Sequence, residues 1–241
     1  MEAVRMKKGD ARRQQILETA ERLFYQNGYE NTSVQAILDE MNLSKGGFYH
    51  HFESKMALLE EICVHKAEAA YEEMEQVMYD GSLGAVDKLN ALLGRSGLLD
   101  QNNVDFLALM LDVAYRGGSA VLRERMKQAS MDRALTYMNA ILAQGLHEQS
   151  FYTQHQEDIG KLIIMLGFNL TDEIAAAMAS DGAAQAVIGR VINLLDTYRS
   201  AIETLLCAPY GSVTLYSARY IVDMYCKLKG LSVPPDFSLD E

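Results

Sequence analysis

The chain has 241 residues, of which 49% are hydrophobic, and a formal net charge of −11 at pH 7. Its length fits two modest domains or one large one, and its apolar content is ample for a packed core, which excludes a disordered chain. Three prolines, abundant helix-forming residues and no β-type alternation predict an all-α protein. The most apolar run, Leu162 to Phe168, is far shorter than the ~20 residues of a membrane helix, so we expect a cytoplasmic protein with no membrane partner.

The acidity is concentrated after the first 55 residues. Residues 1–55 hold eight Lys/Arg and eight Asp/Glu, whereas the remainder holds 14 and 25. The neutral N-terminal part begins with a basic cluster that can add phosphate contacts, although a solvated tail explains the same charges. The cluster consists of Arg5, Lys7, Lys8, Arg12 and Arg13. Three cysteines without metal-ligand spacing favour buried or idle thiols over a zinc site or a disulfide, so we expect no metal and no cofactor.

A first helix is predicted over residues 11–26, with Asn27 and Gly28 as its stop signal. A second begins at Thr32, which stands in capping-box spacing with Gln35. Asn42 is expected to end the second helix, because asparagine tolerates the left-handed conformation of a sharp helix exit.

A third, short helix is predicted from Ser44 to Phe52, with Ser44 as its N-cap and Leu43 packed on Phe48. Its first turn contains Lys45, Gly46 and Gly47, although glycine costs roughly 1 kcal/mol in a helix. Two glycines there would let the backbone approach a DNA groove closely. The alternative is a marginal helix held only by its aromatic residues in a core.

Exposed donors follow those glycines. Tyr49, His50 and Lys55 carry groups suited to phosphate oxygens, and Thr32 adds one from the start of the preceding helix. Lys45, in the first turn, can reach guanine acceptors and is the candidate for base readout. The spacing of Phe48 and Phe52 puts both on the opposite face, in the core.

Beyond this region the pattern predicts helices throughout. Ser54 is expected to cap a fourth helix, predicted at 55–79. Further helices are predicted at 83–94, 103–116, 119–148, 154–180, 183–207 and 212–229. The predicted organisation is a flexible basic arm (1–10), a helix-turn-helix domain (11–54), a connecting helix (55–80), a second domain (81–230) and a tail (231–241).

Residues 12–62 resemble the DNA-binding domain of the tetracycline-repressor-like (TetR) transcriptional regulators. The matching stretches are Ile16 to Phe24 with Asn27-Gly28-Tyr29, Thr32-Ser33-Val34 with Ile37, Leu43-Ser44-Lys45-Gly46, and Phe48-Tyr49-His50-His51-Phe52 with Ser54-Lys55 and Leu58. Three positions depart from the family pattern: Leu38, Asn42 and Gly47. Gly47 matters most, because that position commonly faces DNA and glycine removes one base contact.

The resemblance implies operator DNA as a partner, a homodimer, and a second domain that binds a small-molecule effector. The implied DNA-binding residues are Thr32, Ser44, Lys45, Gly46, Gly47, Tyr49, His50 and Lys55. It also implies a switch in which ligand near Tyr71, Met74 or Met78 tilts the helix from Lys55 to Tyr79 and changes the spacing of the two recognition helices.

The second domain carries no motif of its own. Candidate pocket walls are Phe106, Met110, Tyr115, Tyr137, Met138 and Phe168, with Asn169 or Asp172 as polar anchors. Most aromatic and methionine residues at helical spacing pack cores instead. The apolar segment Ile159 to Met178, with its many small residues, could lie in a dimer bundle with 183–207 or could simply be a central core helix.

These features favour a ligand-responsive repressor on a palindromic operator. An enzyme with an accessory helix-turn-helix is the first alternative, but the sequence has no phosphate loop, metal pair or nucleophile elbow, and its five histidines form no ligand set. A protein-interaction module that only uses the fold is the second. It predicts no saturable operator binding.

Overall fold

The computed structural model describes residues 8–95, 99, 103–153 and 155–232. Those residues form ten α-helices and one π-helical segment, without a strand, which confirms the all-α prediction. The helices are α1 (Lys8–Asn27), α2 (Val34–Met41), α3 (Lys45–Tyr49), α4 (Lys55–Tyr79), α5 (Ala85–Arg95), α6 (Val104–Met110), α7 (Ala120–His147), α8 (Gln156–Ala179), α9 (Ala184–Leu206) and α10 (Ala218–Lys229). Residues 1–7 of the predicted arm and 233–241 of the predicted tail lie outside the described residues. Residues 8–10, also predicted as arm, instead begin α1.

The chain divides into two compact units, Met1–Lys66 and Ala67–Glu241. The boundary falls inside α4, so this helix contributes its first half to one unit and its second half to the other.

Local capping sets the ends of the N-terminal helices. Asn42 adopts the left-handed conformation (φ 49°) after α2, and the Ser44 hydroxyl accepts a hydrogen bond from the Gly47 N–H at 3.1 Å, as the sequence predicts. Ser54 caps α4 in the same way, through the Ala57 N–H at 3.0 Å. Gly28, with φ 83°, follows the last residue of α1. These caps separate α1, α2, α3 and α4, and α2 and α3 follow one another across the short turn that a helix-turn-helix requires.

The predicted Thr32 cap is wrong. Ser33 caps α2, because its hydroxyl accepts from the Ala36 N–H at 3.0 Å. Thr32 is fully buried, and its hydroxyl donates to the Gly28 carbonyl at 2.8 Å and lies 3.2 Å from the Leu23 carbonyl of α1. Thr32 therefore joins the end of α1 to the start of α2.

Two other predicted boundaries move. Helix α3 ends at Tyr49, three residues before the predicted end at Phe52. Helix α10 begins at Ala218, after the Ser217 cap, although the pattern predicts helix from 212. The intervening segment packs across α5 in extended form: the Asn90 side chain donates to the Ser212 carbonyl at 3.1 Å and accepts from the Thr214 N–H at 2.8 Å. These two hydrogen bonds hold backbone groups that would otherwise be paired within a helix.

The C-terminal unit is built around α7, α8 and α9, with α5 packed on α7. Its core includes Tyr71 and Met74 from α4 and Ile163 from α8. Gly145 of α7 touches the ring of Phe151 so closely that an added Cβ would lie 2.0 Å from a ring carbon. This close approach lets the chain reverse direction after α7.

One stretch of α8, Asp158–Ala179, is long and apolar enough to cross a membrane by length and composition. The core helix of a soluble protein has the same properties, and α8 packs against α7 and α9. Asp172, within this stretch, is paired with Lys127 of α7. The helix therefore has the packing and the ion pairing of a core helix.

Candidate nucleic-acid interface and small-molecule cleft

The first turn of α3 presents an open backbone. Lys45 and Gly46 are exposed, and a Cβ built on Gly46 would have no neighbour within 4 Å. The Lys45 ammonium makes no hydrogen bond or ion pair with another described residue, so it is available to a ligand. A lysine at this position of a recognition helix can reach base edges in the major groove.

The two glycines of α3 differ in their surroundings. A Cβ on Gly47 would lie 2.7 Å from Cδ1 of Leu43, at the tip of a flexible side chain. Gly47 therefore faces the turn before α3, whereas Gly46 faces open space. Of the two, Gly46 is the better position for close approach to a groove, and the direct DNA contact predicted for Gly47 remains a prediction.

The aromatic residues at the end of α3 separate into buried and exposed groups. Phe48 and Phe52 are 0% and 4% exposed, which confirms their assignment to the core. Tyr49 is 54% exposed, and His50, with its ring 5.1 Å from that of His51, is exposed as well. The buried rings fix the helix, and Tyr49 and His50 offer polar groups to solvent.

Lys55 already has partners within the domain. Its ammonium donates to the Tyr29 carbonyl at 2.7 Å and lies 4.1 Å from the centroid of the Tyr29 ring. Burial raises the pKa of the Tyr29 hydroxyl to about 12, so this ring stays neutral. An ammonium has three donors, which leaves two of them for a phosphate.

Thr32 does not belong to this surface. Its side chain is 0% exposed, and its hydroxyl is engaged by α1. The exposed hydroxyls of this domain's turn region are those of Ser33 and Ser44, both of which cap helices. Sequence reasoning missed Ser33, although an adjacent Thr-Ser pair signals that either residue could be the cap.

Arg13 supports the same domain from α1. It forms an ion pair with Glu61 of α4, and its guanidinium lies 4.9 Å from the centroid of the Phe52 ring. The hydrogen bond from Arg13 lowers the pKa of Glu61 and correspondingly raises that of Arg13. Of the basic cluster, at least this residue stabilises the fold.

The C-terminal unit contains a cleft of about 640 Å³ between the π-helical segment, the start of α7 and the second half of α8. Three of the eight predicted pocket residues line it: Tyr115, Asn169 and Asp172. The sequence did not indicate three further charged residues that line the cleft, which are Arg116, Arg123 and Glu173. The cleft is thus more polar than the apolar pocket with a few anchors that we expected.

The other predicted pocket residues do not line this cleft. Phe106, Met110 and Met138 are buried, and Tyr137 and Phe168 pack against the core of the unit. The Tyr137 hydroxyl donates to the Tyr71 carbonyl at 3.3 Å. These side chains fill space between helices, as most aromatic and methionine residues do.

Tyr115 and Asp172, which both line the cleft, bind each other. The Tyr115 hydroxyl donates to Oδ1 of Asp172 at 2.7 Å, and Lys127 donates to Oδ2. Burial, followed by the interaction with Asp172, raises the pKa of Tyr115, so the hydroxyl keeps its proton. The two residues are 57 positions apart, and no local pattern could pair them.

Comparisons with known proteins agree with this geometry. A profile of the family described as bacterial regulatory proteins, tetR family, matches residues 16–62. The HTH-type transcriptional regulator YerO of Bacillus subtilis is 27% identical over 132 residues, which cover 54% of this chain and 46% of YerO. The HTH-type transcriptional repressor Rv1474c of Mycobacterium tuberculosis is 32% identical over 106 residues, which cover 43% of this chain and 50% of that protein. The matched regions thus span about half the length of these curated relatives.

A solved structure extends the likeness to the C-terminal unit. The transcriptional regulator FadR from Bacillus subtilis, in complex with stearoyl-CoA, is similar with a TM-score of 0.52 and 20% sequence identity, over 82% of this chain and 99% of FadR. At this identity the likeness shows a shared fold.

An exposed, capped recognition helix on a three-helix core defines a helix-turn-helix DNA-binding protein. The match extends from within α1 into α4. It covers every helix cap and every buried ring described above for the N-terminal unit, whereas Arg13 lies before it. Residues 16–62 therefore belong to a DNA-binding domain of the TetR type.

Proposed function

We propose that this chain is a ligand-responsive repressor that binds a palindromic operator as a homodimer and is released by a small molecule. The observation that carries the proposal is the exposed first turn of α3, where Lys45 and Gly46 face open space above a buried aromatic anchor. A repressor is the named role of the relative Rv1474c. Like other DNA-binding regulators, it would act in the cytoplasm by binding and not by catalysis.

Support for a homodimer comes from α8. Leu162 and Met165 are 49% and 51% exposed, and their i, i+3 spacing puts them on one face of that helix. Exposed apolar side chains that form a stripe are typical of a protein interface. A dimer could then place two recognition helices ~34–36 Å apart, in successive major grooves.

Support for ligand response comes from the cleft and from the continuity of α4. FadR, which has the same fold, holds stearoyl-CoA. Tyr71 and Met74 of α4 are buried in the core of the C-terminal unit, so a ligand that repacks this core can change the position of α4. A ligand switches the protein only if it binds one arrangement better than the other.

The first test is operator binding. We expect purified protein to bind a DNA fragment from upstream of its own gene saturably, and to discriminate against unrelated DNA of equal length. Lys45→Ala is the matched variant, because it removes an exposed side chain without partners. Equal binding of both DNA fragments would contradict the proposal and favour a protein-interaction module.

The second test is reciprocity. A ligand that fills the C-terminal unit should weaken operator binding by the same factor by which operator weakens ligand binding. The ligand's dissociation constant is measured with and without operator present. Equal values for a bound ligand would contradict the switch through α4.

A further inference from the structure

The charge of the cleft differs from that of the unit around it. The chain after residue 55 is strongly acidic, yet the cleft contains the guanidinium groups of Arg116 and Arg123. Its two carboxylates are both paired: Asp172 accepts from Lys127 and Tyr115, and Glu173 lies 3.4 Å from Arg190. After these pairs are formed, two positive charges remain in the cleft.

Those two arginines have no carboxylate partner among the described residues. Arg116 donates its Nε–H to the Ala179 carbonyl at 3.1 Å, and Arg123 donates one N–H to the Ala114 carbonyl. A guanidinium has five N–H donors in a fixed plane, so each residue keeps most of its donors. The backbone bonds hold the groups in place and leave their charge uncompensated.

The local backbone orients both groups. Tyr115 and Arg116 are the last residues of the π-helical segment, a conformation that is rare and often marks functional sites. The Arg123 guanidinium lies 5.3 Å from the centroid of the Tyr115 ring, whose hydroxyl is fixed by Asp172. The donors are therefore ordered before any ligand arrives, which reduces the entropy cost of binding.

We propose that this cleft binds a small organic carboxylate through Arg116 and Arg123, and that this anion is the effector. A carboxylate matches the planar fork of a guanidinium in two parallel hydrogen bonds. The cleft volume of about 640 Å³ lies in the range of small-molecule sites. The assignment rests on the proposed ligand-responsive function and names the chemical class of its ligand.

The test is direct binding to the full chain without DNA. Aliphatic and aromatic monocarboxylates and dicarboxylates of two to ten carbons are titrated calorimetrically, each beside its neutral amide. We expect at least one carboxylate to bind saturably at one site per chain while its amide does not. Arg116→Gln should weaken that binding about tenfold or more, the effect of one lost charge-assisted hydrogen bond.

Arg219→Gln is the matched control, because it removes the same charge from α10, where Arg219 pairs with Asp223. It should leave the affinity unchanged. Arg123→Gln is a second variant for the cleft, and thermal unfolding shows whether loss of its bond to Ala114 destabilises the unit. Absence of binding across the panel, or equal loss in Arg116→Gln and Arg219→Gln, would overturn the assignment. Operator binding is measured in a separate experiment. Failure of the carboxylate assignment would therefore leave the proposal of operator binding unaffected.

Discussion

The caps around the recognition helix in the N-terminal unit and the contacts of the cleft in the C-terminal unit differ in how far apart along the chain their interacting residues lie. In the first unit, Ser44 caps α3 through Gly47, and Asn42 ends α2 through Asp39. In the second, Tyr115 binds Asp172 across 57 positions and Asn90 binds Ser212 across 122. A surface formed by residues close together in sequence can be predicted from the sequence, whereas a cleft formed by distant helices cannot.

The largest expected effect lies in the N-terminal unit. Phe48→Ala should lower the free energy of unfolding of that unit by ~3–5 kcal/mol, because a fully buried ring leaves a cavity. Urea unfolding followed by circular dichroism measures it. Tyr49→Ala, one position on and mostly exposed, should melt nearly as the wild type but bind DNA more weakly. A Phe48→Ala protein that loses DNA binding while melting normally would contradict the core assignment.

A comparable position in the C-terminal unit is Gly145. Gly145→Ala should destabilise the unit by ~1–3 kcal/mol, because the added methyl overlaps the Phe151 ring. Gly167→Ala is the control: its Cβ would lie 3.7 Å from Leu93, an ordinary contact, and the change should stabilise α8 by roughly 1 kcal/mol. Thermal unfolding compares the two. Equal midpoints for both variants would show that the Phe151 ring moves without cost.

Lys45 and Lys55 test the split between sequence readout and phosphate contact. Lys45→Ala should change the ranking of operator variants, with a loss of ~1–3 kcal/mol on the preferred one. Lys55→Ala should weaken all sequences alike and lower the salt slope by ~1. Fluorescence anisotropy across a salt series gives both quantities. An unchanged slope for Lys55→Ala, with lower stability, would assign Lys55 solely to holding Tyr29.

The smallest effect concerns pH. The hydrogen bond from Arg13 lowers the pKa of Glu61 below its ordinary value of 4.5, so its contribution is complete above that value. This stability is lost as the pH falls through the lowered pKa of the folded state. Because Glu61 is partly exposed, the contribution should be below about 1 kcal/mol. Urea midpoints between pH ~6 and ~3 should fall less steeply for Glu61→Gln than for wild type, and Glu53→Gln serves as control. Identical slopes would show that the ion pair adds nothing.

Much of the N-terminal unit follows from local chemistry. Gly28, Asn42, Ser44 and Ser54 act as predicted, since each needs only its own helix end as partner. Thr32 was assigned wrongly because Thr32 and Ser33 both satisfy the cap pattern, and only packing against the end of α1 distinguishes them. The contact between Lys55 and Tyr29 also depends on packing, because the two residues are 26 positions apart, and no local pattern predicts it.

In the C-terminal unit the helices were predictable and the cleft was not. The periodicity that finds α7 and α8 also selects apolar residues, so it directed the search for a pocket to side chains such as Met138, which fill the core. Arg116 and Arg123 appear in sequence as ordinary surface charges. Only the packing of α8 beside the π-helical segment brings them to one cleft.

Gly46 also has a consequence for how operator preference can diverge. A Cβ at this position would meet no neighbouring side chain within 4 Å, and the backbone is ordinary right-handed helix. New side chains can therefore be added at Gly46 while the core of Phe48 and Phe52 remains unchanged. Replacing glycine in a helix even favours folding. A duplicated copy of this regulator could acquire a different operator by one substitution, without first becoming more stable elsewhere.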